Sequence, residues 1–413
     1  MRNDIADSDA VFSLRVRSPQ PLCLPPPEAR PEACERILLG MSSDPPQTPP
    51  SVHSGTSAVS GFSTSPSGIA HEFAERYSRQ ILFPGIGAEG QACLARAHAA
   101  IIGVGATGAA TAQLLARAGV GRLTLIDRDF VEPSNLQRQV LFDEADARDA
   151  LPKAEAARRK LAAINSSCQV TAHVADLVPA NIHGLLSGVD LLLDGTDNFE
   201  TRYLLNDFAI STGTPWIYAA AVGACAATMN ILPARFGDHH TACLACLFPA
   251  APTGPVETCD TAGILSTAVN LAASLQTTEA LKCLTGQPQL MRRTLLSFDL
   301  WTGDRSEINT SAPRRDCDVC AARNFRYLAG TARPHITLCG RNSVQIHEHH
   351  RPLDLPTLAA RLAPLGDVRA NGMLLRFTHG VHTLTVFPDG RALIHGTTDP
   401  GLARSLYARF IGS

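Results

Sequence analysis

The sequence predicts an α/β protein: a mostly parallel sheet with helices on both faces, preceded by a disordered N-terminus and followed by a small C-terminal α+β module. Three observations point there. From about Phe73 to Tyr327, short apolar runs alternate with helix-like stretches. The runs are apolar at nearly every position, as strands covered on both faces must be. The first run is joined to the first long helix by a glycine-rich turn, the connection of a strand–helix–strand unit. Residues 1–70, by contrast, hold 11 of the 28 prolines, and Ser42 to Gly68 is almost all Ser, Pro, Thr, Gly and small residues. Such a segment buries too little apolar surface to offset its ordering entropy.

The elements follow in order. Ala99–Val104 reads as a buried strand, Thr107–Ala118 as a helix closed by Gly119, and Leu123–Asp127 as the next strand. Lys153–Ile164 is a helix, Gln169–Val174 and Val189–Asp194 are strands, and Glu200–Ser211 is a helix. Trp216–Val222 and Thr228–Leu232 are strands, Ile264–Leu284 is a long helix stopped by Gly286, and Leu295–Asp299 is a further strand. From about Thr331 the pattern changes to a strand-like start (His335–Leu338) and an amphipathic helix (Leu355–Leu365). The strands Gly372–Phe377, Thr383–Phe387 and Ala392–Ile394 follow, with Asp389–Gly390 as the hairpin turn between the last two, and Pro400–Phe410 closes the chain as a helix. The expected division is 1–70, 71–328 and 331–413. Met41 offers a second start, which would remove the first 40 residues; a targeting peptide there is disfavoured by the early Asp4, Asp7 and Asp9 and by the shortness of Val11–Arg17.

Composition excludes several classes. A net charge of −2 over 413 residues argues against a protein that coats nucleic acid. No run of ~18 apolar residues is present to span a membrane. Twelve cysteines are too few for a disulfide scaffold of this length, and four of them fall in C-x-x-C pairs. The expectation is a protein of a reducing compartment, the cytoplasm.

The turn after the first strand is GVGATG. Gly103, Gly105 and Gly108 form G-x-G-x-x-G between strand and helix, so the fold is Rossmann-like and the turn a phosphate site: glycine lets backbone approach phosphate oxygens, and a helix N-terminus favours negative charge. Asp127 ends the second strand, where an acid can accept ribose hydroxyls. Dinucleotides and ATP both use such a turn. Downstream lie Asn135 and Arg138 in SNLQRQ and Lys153 in LPKAEAA, which can clamp phosphates and stabilise charge developing at an α-phosphorus. Asp197 in DGTDN follows a strand at the carboxyl end of the sheet, where a carboxylate could bind Mg²⁺. Taken singly, each has a plain alternative: a surface ion pair for Arg138, a solvated residue for Lys153, a helix cap for Asp197.

Cys243-Leu-Ala-Cys246 and Cys317-Asp-Val-Cys320 match a closed tetrahedral zinc site, with no position left open for catalysis. The 70 intervening residues are too many for a compact finger, so zinc would tie the loop after the sheet to the end of the domain. Neither pair opens a helix after a strand, as redox pairs do. Cys259 lies just before the long helix, where a thiol can gain reactivity, although Asp260 opposes this. Cys168, Cys225 and Cys283 read as core or surface thiols.

RYSRQILFPGIG (76–87), GVGATG, LTLIDRD (123–129), SNLQRQ, LPK, DGTDNFETR (194–202) and the two cysteine pairs together resemble the ThiF/MoeB/HesA family, bacterial relatives of ubiquitin-activating enzymes. The resemblance covers roughly residues 73–327. LCGRNSVQI (338–346), LDLPTLAARL (353–362) and FPDGRALIHGT (387–397) resemble the C-terminal extension of Bacillus-type members. The resemblance implies ATP-dependent adenylation of the C-terminal glycine of a ubiquitin-like sulfur carrier, ThiS-like for thiamine or, alternatively, MoaD-like for molybdopterin. It assigns ATP to Gly103, Gly105, Gly108 and Asp127, places Asp129 beside the ribose, gives the phosphates to Asn135, Arg138 and Lys153, and gives Mg²⁺ and the reacting carrier end to Asp197. Arg79 would reach across a homodimer into the partner's site, and Cys259 would attack the acyl-adenylate. The zinc would be structural. Many relatives have GxGGLG where this chain has GVGATG, but the three motif glycines remain. The C-terminal module lacks the cysteine loop of a rhodanese, so a separate sulfur donor is implied. An NAD(P)-dependent oxidoreductase would explain the glycine turn and Asp127 but leave SNLQRQ and DGTDN without a role. An adenylating enzyme with a non-carrier substrate, or a non-catalytic zinc-stapled module, are further alternatives.

Overall fold

The computed structural model describes residues 75–250, 262–331, 336–339, 343–346, 352–371 and 374–412. The N-terminal extension and Cys259 lie outside the described residues. The main sheet has eight strands: β1 (His98–Ile102), β2 (Arg122–Asp127), β3 (Gln169–Val174), β4 (Leu191–Asp194), β5 (Trp216–Val222), β6 (Cys225–Ile231), β7 (Thr294–Asp299) and β8 (Arg305–Asn309), in the order β3-β2-β1-β4-β5-β6-β7-β8. The first five are parallel, and β6, β7 and β8 continue the sheet antiparallel.

Helices cover both faces. On one lie α1 (Gly87–Arg96), α2 (Ala106–Ala118), α3 (Lys153–Ile164) and α5 (Ser266–Leu284); on the other lies α4 (Phe199–Thr212). Strand alternation divides the core accordingly. Ala99, Ile101, Leu191 and Leu193 meet the first group, while Ala100, Ile102, Leu192 and Trp216 meet α4. All four residues of β4 are buried, so it sits in the middle of the sheet. The alanines of α2 let it lie close on the strands, and it ends at Gly119 in the left-handed conformation (φ 86°) that caps helices. At the far edge, β8 is exposed throughout and carries Arg305 and Glu307, charges that discourage pairing with another chain.

The C-terminal region folds as a second sheet, antiparallel throughout. Its strands β9 (Ile336–Cys339), β10 (Ser343–Ile346), β11 (Asp367–Asn371), β12 (Leu374–His379), β13 (His382–Val386) and β14 (Ala392–His395) take the order β11-β12-β13-β14-β10-β9. Helices α6 (Leu355–Leu362) and α7 (Pro400–Phe410) cover one face of it. The expected helix to Leu365 is α only to Leu362. Pro364 has no N–H to donate to the carbonyl four residues back, so the α-helical hydrogen-bond ladder stops, and the chain tightens into a 3₁₀ turn over Ala363–Leu365. The Asp389–Gly390 turn stands as expected, with Gly390 at φ 88°. Among the described residues no helix is long and apolar enough to cross a membrane.

Candidate active site and metal centre

The strand order reverses at β1, which has β2 on one side and β4 on the other. Open parallel sheets bind ligands at such a switch point, outside the carboxyl ends of the strands. The loops leaving β1 and β4 meet there. Gly103 has φ 81°, and a Cβ on it would lie 2.6 Å from the Gly195 carbonyl oxygen; a Cβ on Gly108 would lie 1.8 Å from the Gly103 carbonyl oxygen. These two glycines are required by packing. Gly105, the cap of α2, is different: the nearest atom to its added Cβ is Gln139 Nε2 at 3.7 Å. Its bare backbone faces open space in front of the helix N-terminus.

Asp127 organises this loop. Its Oδ2 accepts from the Val104 N–H at 2.6 Å and its Oδ1 from the Asp129 N–H at 2.7 Å. Burial pushes its carboxyl above the usual range, and Lys153 works against that shift. Lys153 is 2% exposed, its Nζ 3.2 Å from Asp129 Oδ2, so it is not the solvated residue of the plain alternative. It opens α3, and its own N–H donates to the Asp129 carbonyl at 2.8 Å. Asn135 is buried: its Oδ1 accepts from the Glu132 N–H, while its Nδ2 has no hydrogen-bond partner among the described residues. Arg138 is also buried and donates to the Ser134 carbonyl at 2.8 Å. Gln139, unassigned from sequence although it ends SNLQRQ, lies beside Gly105 with a buried Oε1 that has no partner among the described residues.

On the other loop, Asp197 is exposed, and no side-chain hydrogen bond or ion pair to it occurs among the described residues. The helix cap is its neighbour Asn198, whose Oδ1 accepts from the Thr201 N–H at 2.9 Å. The loop is held by a buried pair that sequence reasoning did not single out, though both members lie in DGTDNFETR. Arg202 Nε is 3.0 Å from Asp194 Oδ2, and Arg202 also donates to the Thr196 carbonyl at 2.6 Å and the Ala219 carbonyl at 3.1 Å. From α5, Gln276 donates to the Asp194 carbonyl at 2.9 Å and accepts from Thr111 of α2 at 2.8 Å. The structure thus brings Gly103, Gly105, Gly108, Asp127, Asp129 and Lys153 together, with the Asn135–Gln139 segment alongside and the Asp197 loop opposite.

Arg79 is not among them. It is exposed on a short helical turn, Ser78–Ile81, and makes no hydrogen bond or ion pair among the described residues. Its neighbours are firmly anchored: the Tyr77 hydroxyl accepts from Asn165 at 2.8 Å, and Gln80 donates to Gln91 and to the Ala118 carbonyl. Tyr77 packs on Gly119, at the end of the 13-residue α2 away from Gly105. That helix is about 20 Å long.

The Sγ atoms of Cys243, Cys246, Cys317 and Cys320 all lie within 4.8 Å of one another. The Sγ–Sγ distances are 3.8 Å for Cys243–Cys246, 3.6 Å for Cys243–Cys317 and 3.4 Å for Cys246–Cys320. Sulfur ligands at ~2.3 Å on a tetrahedral ion stand about 3.8 Å apart, whereas a disulfide needs about 2.05 Å. The cluster fits a metal and not a bridge. The Arg314 N–H points at Cys246 Sγ (3.4 Å). Elsewhere, burial pushes the Cys168 thiol up to about 11 and that of Cys283 to about 12, which leaves both inert at neutral pH; Cys225 is exposed.

A glycine turn at the switch point, with buried basic and amide groups around it, defines a nucleotide-binding α/β enzyme. Residues 77–319 match the ThiF family. The chain is 45% identical over 341 residues to the sulfur carrier protein ThiS adenylyltransferase of Bacillus subtilis (strain 168), covering 82% of this chain and 99% of that one. It is 36% identical over 253 residues to the sulfur carrier protein adenylyltransferase of Thermus thermophilus, covering 60% and 91%. In fold it is similar to the crystal structure of E. coli MccB, with a TM-score of 0.53 and 24% identity over 60% of this chain and 74% of that one. The chain belongs to the ThiF family, and it is an adenylyltransferase; ATP use follows, and the oxidoreductase alternative falls.

Proposed function

We propose that the protein adenylates the C-terminal glycine of a ubiquitin-like sulfur carrier of the ThiS type, the carrier kind named for its relative from B. subtilis. The observation that carries the site assignment is the meeting of the Gly103 and Gly195 loops beside the ion pair of the buried Lys153 with Asp129. In the reaction, a carboxylate oxygen of the carrier forms a bond to the α-phosphorus of ATP, the bond from that phosphorus to the bridging oxygen breaks, and pyrophosphate leaves. The nucleophile is already ionised, so no general base is needed; the enzyme supplies orientation and charge stabilisation. The α2 N-terminus and Gly105 receive the phosphates, Lys153 and Arg138 neutralise the leaving charge, and Asn135 offers its unpartnered amide. Asp127 shapes the loop and Asp129 borders the ribose. Asp197, an exposed carboxylate without a protein partner among the described residues, fits a hard cation; Mg²⁺ there would offset phosphate charge.

The four-cysteine cluster would hold zinc as a closed structural site. Arg79 serves the partner's site in a homodimer, which explains its exposed position on an anchored turn. Cys259 is a candidate acceptor for the activated acyl group, and the sulfur comes from a separate donor. Four free thiols gathered for a metal support a reducing compartment, the cytoplasm, as the protein's location. The test is ATP–pyrophosphate exchange with purified carriers. Exchange that requires a ThiS-like protein is expected; exchange only with a MoaD-like protein would change the pathway, and none with either would overturn the assignment.

A further inference from the structure

The strand β12 has two working faces. Leu375 and Phe377 point into the core of the C-terminal module with α6 and α7. The alternate residues Leu374 and Arg376 face the main domain instead. There Leu374 (2% exposed) and Phe387 (5%) close over Phe130 (5%), with Ala150 and Val174 at the margin. The guanidinium of Arg376 lies 4.9 Å from the centre of the Phe130 ring. Opposite Arg376 on β13, Thr385 is fully buried.

Phe130 directly follows Asp129 and is bridged antiparallel to Pro152, which directly precedes Lys153. The Val131 N–H donates to the Leu151 carbonyl, and the Lys153 N–H to the Asp129 carbonyl, both at 2.8 Å. Residues 129–131 and 151–153 therefore form a small two-stranded patch that sets the Lys153–Asp129 ion pair. Ala150, at its edge, has φ 47°, a conformation that a non-glycine residue keeps only where its surroundings impose it. Those surroundings include Phe130, Leu374 and Phe387.

We propose that the C-terminal module is a working part of the nucleotide site: Arg376, Leu374 and Phe387 are positioning residues that act through Phe130 and Ala150 to hold Asp129 and Lys153 for ATP. This rests on the assignment of Lys153 and Asp129 to ATP made above.

The test uses the full-length protein, with ATP·Mg²⁺ affinity read by equilibrium titration and KM and kcat read in the exchange assay. Arg376→Ala should weaken ATP binding about fivefold while the carrier KM moves less than about twofold. Phe130→Leu, which keeps the apolar packing but removes the ring face, should do the same, and the double variant should lose little more than either single one. Arg376→Lys should recover most of the loss, because an ammonium can also sit on the ring. A lower melting temperature with unchanged ATP affinity in Arg376→Ala, or a shift in carrier KM instead, would overturn the proposal. Lys153→Met separates the two layers. If it weakens ATP binding and Arg376→Ala does not, only the module's role fails; if it leaves ATP binding intact, the ATP-site assignment fails and the proposal falls with it.

Discussion

A Cβ placed on Gly195 would lie 2.2 Å from the carbonyl oxygen of Gly103. The two loops of the proposed nucleotide site are thus in close backbone approach at the switch point. Each loop leaves the end of a fully buried strand segment, Ile102 in one case and Asp194 in the other.

This predicts different outcomes for glycines of one motif. Gly108→Ala forces a Cβ to 1.8 Å from a backbone oxygen and should cost about 3 kcal/mol or more of stability, together with ATP binding. Gly105→Ala meets nothing closer than 3.7 Å. It should leave stability within about 0.5 kcal/mol yet weaken ATP binding, because its Cβ occupies the phosphates' approach. Thermal unfolding beside ATP titration checks both; equal melting losses in the two variants would show that Gly105 is a packing glycine.

Lys153→Met should separate folding from chemistry. The methionine keeps most of the buried stem, and the abandoned Asp129 side chain is 31% exposed and can reach water. Stability should fall by only about 1–2 kcal/mol. Pyrophosphate exchange should fall about 10²–10³-fold, the usual effect of removing one preorganised charge-stabilising group. Circular dichroism with exchange kinetics decides it. A drop of less than about tenfold would remove Lys153 from the chemistry.

The four-cysteine cluster, read as a zinc site, predicts one zinc per chain by elemental analysis. Cys317 is fully buried among the four thiols and joins the Arg314–Cys320 segment to the Cys243 loop. Cys317→Ser should abolish tight zinc retention and lower the melting temperature, while Cys168→Ser, outside the cluster, should retain zinc. Full zinc content in Cys317→Ser would leave the cluster without a structural role.

Legibility in the sequence followed burial. Strands β1, β2, β4 and β5 are apolar along most of their length because helices lie on both sheet faces, and their positions were readable to within a few residues. The edge strand β8, Arg-Ser-Glu-Ile-Asn, carries no such signal, since all five residues meet solvent. β6 and β7 were readable as strands, at Thr228–Leu232 and Leu295–Asp299, but their antiparallel course was not, because strand direction is a matter of connection and not of residue type. Lys153 and the cysteine pairs stood out as motifs, but Asp194, Arg202 and Gln139 did not: their importance is that they are buried with polar atoms, and burial of a charge is visible only in three dimensions. The docking of Arg376 on Phe130 joins residues 246 positions apart, beyond any local pattern.

Asp207 predicts a pH dependence of stability. It is fully buried on α4, where its Oδ2 accepts from the Tyr327 N–H at 2.9 Å and the Leu328 N–H at 3.2 Å, pinning the chain that leaves the four-cysteine cluster. Its Oδ1 has no partner among the described residues. Burial raises its carboxyl to about 6 from an ordinary 3.8, although both N–H groups pull it down. The folded protein therefore holds the proton more tightly than the unfolded chain. Its contribution is fully present below about pH 4 and is lost as pH rises through about 6, on the order of 2–3 kcal/mol in all. Asp207→Asn keeps an oxygen for the two N–H donors and cannot ionise. The stability of the variant relative to the wild type should therefore rise between about pH 4 and pH 7 and then level off. Urea unfolding of both proteins across that range measures it. A difference that does not change with pH would mean that Asp207 ionises freely in the fold.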